Sequence, residues 1–164
     1  MTIASSTARP PVPTPASSTA SHPARTSASA TMDSATAFAA LALAAVSWDG
    51  TLTLAGSRAL RHCLDYRAPY REYGDAAMVR LMDTLLAQLR SKGAQHLMVE
   101  AAEALTLQQR ATAYAVAAEI MRSDGPLSAD EQNILANLAA TLELPAADIT
   151  RVLAVMNLLH AELS

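Results

Sequence analysis

Four carboxylates crowd one short stretch of this 164-residue chain: Glu119, Asp124, Asp130 and Glu131. Asp124-Gly125 suits a turn between helices. Ser128, followed three residues later by Glu131, has the pattern of a capping box at a helix start. Two readings stay open. In one, Asp124 in the loop and Glu131 on the first helical turn converge, with Glu119 reaching across. That set would offer the oxygen ligands that calcium, magnesium or manganese take. In the other, the same residues are a turn and a cap and nothing more. An EF-hand is excluded by spacing. Counted from Asp124, its third, sixth and twelfth positions are Pro126, Ala129 and Leu135, which supply neither oxygen nor glycine.

The corner has an earlier, weaker copy. Phe38–Leu64 and Ala113–Ala139 match at a constant offset of 75 residues, so Asp49-Gly50-Thr51-Leu52-Thr53 parallels Asp124-Gly125-Pro126-Leu127-Ser128. Asp49 is the shared aspartate and Thr53 the shared cap. Ala44, Ala55 and Gly56 stand where Glu119, Asp130 and Glu131 stand, so three of four acids are missing. Of the two corners the second is the better candidate for a cation, with Asp124, Glu131 and Glu119 as its candidate ligands, and Asp49 is the one candidate ligand left at the first.

Helices must position these corners. The chain from Ser34 onward reads as all-α, with helices expected near 35–47, 54–65, 75–91, 94–105, 108–122, 129–142 and 146–162. The first carries Phe38, Leu41, Ala42, Ala45 and Val46 as one stripe, with Gly50 as its C-terminal glycine. Gly93 separates the third and fourth. Ile149, Val152, Leu153 and Met156 parallel Met78, Leu81, Met82 and Leu85 at an offset of 71, so the loop near Tyr66–Gly74 holds four extra residues. Two three-helix units in a pseudo-twofold repeat, joined by a connecting helix, would then share one core that neither could bury alone.

The extra loop is the second candidate surface. Tyr66, Tyr70 and Tyr73 alternate with Arg67 and Arg71 there, a composition that suits docking to a protein partner or complex. The alternative is a loop whose tyrosines cover an alanine-rich core. His96, Glu100 and Glu103 share one helical face and read as solvated surface. Cys63 reads as a core thiol, Trp48 as packing beneath the first corner, and His160 as a helix-end cation.

Residues 1–32 form a separate region. Ser, Thr, Ala and Pro make up 25 of them, and the chain's first acid is Asp33. Such a stretch has little to bury against its chain entropy and is expected to be disordered, with 33–164 as the folded domain. It lacks the apolar core of a secretory signal. The net charge is −3, and the positive Arg9 and Arg25 lie in the tail, so the body is more acidic still. That argues against nucleic-acid binding. No apolar run reaches the roughly 20 residues that span a bilayer. One cysteine permits no internal disulfide and fits a reducing compartment. The expected location is cytoplasmic, or an organelle if the tail acts as a transit peptide. No Ser/His/Asp arrangement or phosphate-cradling glycine loop points to an enzyme.

At the second corner the chain resembles the TerB family of tellurite-resistance-associated proteins. The resemblance rests on Glu119, Asp124-Gly125, Leu127-Ser128 and Glu131, then Leu135, Leu138 and Leu142-Glu143-Leu144, and on the degenerate first copy from Ala44 to Leu60. It covers roughly residues 35–162. It implies about seven helices, acidic clusters proposed to bind divalent cations, and a non-enzymatic role in stress responses to metals and oxyanions, often through partner complexes. Carried over by position, Asp124 and Glu131 are the matched acids and Asp49 the first-copy aspartate. Gly56 departs from the pattern and puts a symmetric two-site arrangement in doubt.

Overall fold

The computed structural model describes residues 32–49, 51–123 and 125–161. The described residues are all-helical, without strands: α1 Ser34–Val46, α2 Leu54–Asp65, α3 Asp75–Lys92, α4 Ala94–Glu103, α5 Leu107–Arg122, α6 Ala129–Thr141 and α7 Ala146–Leu159. A single tight helical turn, Tyr70–Glu72, interrupts the loop between α2 and α3. The expected tail disorder, the helix-ending Gly50 and the aspartate Asp124 lie outside the described residues.

Local chemistry sets most of the helix starts. Asp33 caps α1 by accepting from the Ala35 and Thr36 N–H groups, both at 3.0 Å. Thr53, Thr106 and Ser128 cap α2, α5 and α6, and the last two form full capping boxes with Gln109 and Glu131. Each satisfies a backbone donor that a helix leaves orphaned at its start, worth about 1 kcal/mol. Gly93 breaks the chain between α3 and α4 at φ 81°, a conformation that a Cβ strains.

The core is organised around α1. All residues from Ala37 to Ala45 are buried, so the helix is enclosed on every side and not along the single expected stripe. The physical reason is alanine. Ala37, Ala39, Ala40 and Ala44 carry only a methyl group, which lets neighbouring helices approach α1 closely on more than one side. The helix α1 packs on α4 and α5 most extensively, and also on α2, α3 and α6. Its counterpart under the 75-residue offset, α5, packs on α1, α2, α6 and α7. Leu60, Leu85, Leu97, Tyr114 and Leu138 close the core from the surrounding helices.

Candidate functional site

The second corner is built from the end of α5 and the start of α6. Gly125 adopts φ 132°, which favours glycine at that step of the turn. The capping box then fixes Glu131. Its Oε2 accepts from the Ser128 N–H and the Ser128 hydroxyl, both at 2.8 Å, while the Ser128 Oγ accepts from the Glu131 N–H at 3.2 Å. Both of these bonds fall on one carboxylate oxygen.

The first corner is held by a different set of bonds. Asp49 Oδ1 accepts from the Thr51 N–H at 2.9 Å and the Thr51 hydroxyl at 2.7 Å. These two bonds, the backbone one foremost, hold the Asp49 carboxyl below the usual aspartate range and so keep it ionised. Thr53 Oγ1 accepts from the Gly56 N–H at 3.0 Å, and nothing returns the bond because Gly56 has no side chain.

The two corners open onto one cleft of about 660 Å³. Asp49, Thr51 and Thr53 line it from the first corner, and Asp130, Glu131, Asn133 and Asn137 line it from α6. Trp48, Val46, Ile120, Met121 and Ile134 form its apolar wall, and no Lys, Arg or His is among its lining residues. Two of the expected cation residues, Asp49 and Glu131, therefore face a common space. Sequence reasoning counted Asp130 among the acids of the second corner without giving it a ligand role, and it passed over the two asparagines and the part Trp48 plays in the wall. The offset comparison placed the corners in register without showing that they face each other.

Glu119 does not join them. It was expected to reach across to the second corner, but its Oε2 lies 3.0 Å from His160 Nε2 at the end of α7. The packing of α7 on α5 draws it there. Asp124 lies outside the described residues. Among the described residues no three His, Cys, Asp or Glu side chains are grouped tightly enough to hold an ion directly. An ion in this cleft would be met by separated carboxylates and amide oxygens, with water filling its remaining positions.

The tyrosine–arginine loop divides in two. Tyr70 is buried, donates its hydroxyl to the Ala35 carbonyl and packs against Phe38 with ring centroids 6.4 Å apart. Burial pushes its phenol well above the usual tyrosine range. Tyr73 meets Tyr70 edge-on at 5.7 Å. These two cover the core. Tyr66 is 74% exposed and stands edge-on to His62, and Arg71 points outward. Arg67 lies inward, its guanidinium 5.8 Å from the Phe38 ring centre.

The remaining candidates lie away from the cleft, apart from Trp48. Glu100 pairs with Lys92 at 2.6 Å, while His96 and Glu103 are exposed. Cys63 is partly buried against the core, and that burial raises its thiol. Trp48 packs against the core as well as lining the cleft. Among the described residues no helix is long and apolar enough to cross a membrane. No protein-family model, curated protein or solved structure matches this chain.

Proposed function

We propose that this chain is a non-enzymatic helical binding module of the TerB kind, holding a divalent cation in the cleft between its two corners and serving a stress response. The observation that carries the reading is that Asp49 and Glu131, from separate corners, line one cleft with Asp130 and without a cationic side chain. Asp49 is kept ionised by its bonds to Thr51. Asn133 and Asn137 add amide oxygens. Magnesium keeps several waters and takes only one or two carboxylates, so it suits a spread set better than calcium, which wants six to eight protein or water oxygens. The resemblance at Glu131 and Asp49 supports the same class of ligand, and the stress role comes from that resemblance alone.

Thermal melts of the full chain in EDTA, then with magnesium, manganese or calcium, test the reading. A cation at a hundredfold over its dissociation constant stabilises by about 2.7 kcal/mol. For a domain of this size that raises the melting temperature by roughly 8 °C or more. Glu131→Gln is the control, because glutamine also completes a capping box and removes only the charge. The reading predicts a cation-dependent rise that shrinks in the variant. No rise with any of the three ions would overturn it.

A further inference from the structure

A second cleft, of about 410 Å³, is lined by the start of α1, the Tyr66–Tyr70 loop and α5. Its charged lining residue is Arg67. This arginine is partly buried, and its guanidinium lies over the Phe38 ring, 5.8 Å from the ring centre. Its Nε is shut off from solvent and has no hydrogen-bond partner. No carboxylate among the described residues pairs with it. Asp33, beside the cleft, caps α1, and Glu119 meets His160. The residues before Asp33 include no acid, so that stretch brings no counter-charge. Removing a cation from water without a counter-ion is costly, and the cost falls when an anion arrives.

The neutral groups around Arg67 favour the same ligand. Gln109 Oε1 is taken by the Thr106 N–H at 2.9 Å and the Thr106 hydroxyl at 3.1 Å, which leaves its NH₂ group as a donor. Tyr66 brings an exposed hydroxyl and the edge of an aromatic ring. Phe38 and Pro69 supply apolar wall. We propose that this cleft is a binding site for a small organic oxyanion, with Arg67 pairing a carboxylate or phosphate group and the body of the ligand lying against Phe38 and Tyr66. The guanidinium fork matches the geometry of either group. The volume falls within the range of small-ligand pockets. The site is separate from the cation cleft and does not depend on it.

Two-dimensional NMR of the full chain tests the proposal, with benzoate, phenyl phosphate and benzylamine titrated in turn and the Arg67 Nε–H and Tyr66 signals followed. The expected result is saturable shifts with benzoate or phenyl phosphate and none with benzylamine; the stronger of the two anions identifies the head group. Arg67→Gln should weaken binding at least tenfold, while the outward Arg71→Gln leaves it unchanged. Gln109→Glu guards against a folding defect. Glutamate still completes the capping box with Thr106, yet it replaces a donor with a negative charge, so binding should again fall at least tenfold. The absence of a saturable shift with either anion, or equal binding by wild type and Gln109→Glu, would overturn the proposal.

Discussion

The two corners share an Asp-Gly sequence and end in different chemistry. At the second, Ser128 and Glu131 exchange hydrogen bonds and leave a carboxylate at the cleft. At the first, Thr53 caps alone, and the charge at the cleft comes from the turn itself through Asp49. One turn upstream the contrast is sharper. Ala44 is fully buried in α1, whereas its counterpart Glu119 in α5 is partly exposed and meets His160. The first copy has given its helix to the core, and the second has kept polar surface. Two stretches that match in sequence can therefore divide the work of packing and of presenting charge.

Exchanging the residues at that upstream position breaks the comparison most severely. Ala44→Glu would bury an unpaired carboxylate, and it should cost more than about 4 kcal/mol or prevent folding. Glu119→Ala, at the matching position, loses a half-exposed pair and should cost no more than about 1 kcal/mol. Urea unfolding of both variants measures the difference, and similar losses would contradict the account of α1 as the enclosed helix.

The caps come next. Ser128→Ala removes the hydroxyl that accepts from the Glu131 N–H and donates to Glu131 Oε2, leaves the backbone half of the box in place, and should cost about 1.5 kcal/mol, against about 1 kcal/mol or less for Thr53→Ala. Equal losses in thermal melts would mean that the bond from the Ser128 hydroxyl to Glu131 adds nothing to the helix start. Rebuilding the missing half sharpens the point. Gly56→Glu replaces a poor helix former, and its new Cβ would sit 3.1 Å from Thr53 Oγ1 and 3.8 Å from Leu52 Cδ1. The first contact is tight, so part of the gain of about 1 kcal/mol over glycine is lost, and a net stabilisation of roughly 0.5 kcal/mol is expected. Destabilisation would show that the first corner is too close-packed to hold the second corner's side chain.

The smallest effect is in pH. The folded Asp49 carboxyl titrates below its unfolded value, so its contribution is complete above the unfolded value and disappears as pH falls through the folded one. Melts of wild type and Asp49→Asn should therefore differ near neutrality and converge in acid. A gap that persists in acid would trace the effect to something other than the Thr51 bonds.

Much of the fold was legible because its signals are local. Ser128 and Glu131 are three residues apart, and their box forms as read. Gly93 ends α3, and the α2 bounds, Leu54–Asp65, match the expected 54–65. Alanine was the residue that misled. Its periodicity in α1 is weak, and whether Ala39 or Ala44 faces solvent or a neighbour is decided by helices remote in sequence. The site suffered from the same gap. Glu119 and His160 meet across 41 residues, and nothing in the spacing of either announces the other. Tyr70 and Tyr66 share a loop and a residue type, yet one is buried and the other exposed. The side of the chain on which the core lies makes that choice.

Trp48 is the chain's single tryptophan and lines the cleft between the corners. It can pass excitation to terbium, an ion that occupies hard-oxygen sites, so terbium emission excited through the indole reports directly on a cation there. The account predicts sensitised emission that magnesium or manganese competes away and that both Asp49→Asn and Glu131→Gln reduce. Emission indifferent to Asp49→Asn, or none in the wild-type chain, would contradict a cation shared between the two corners.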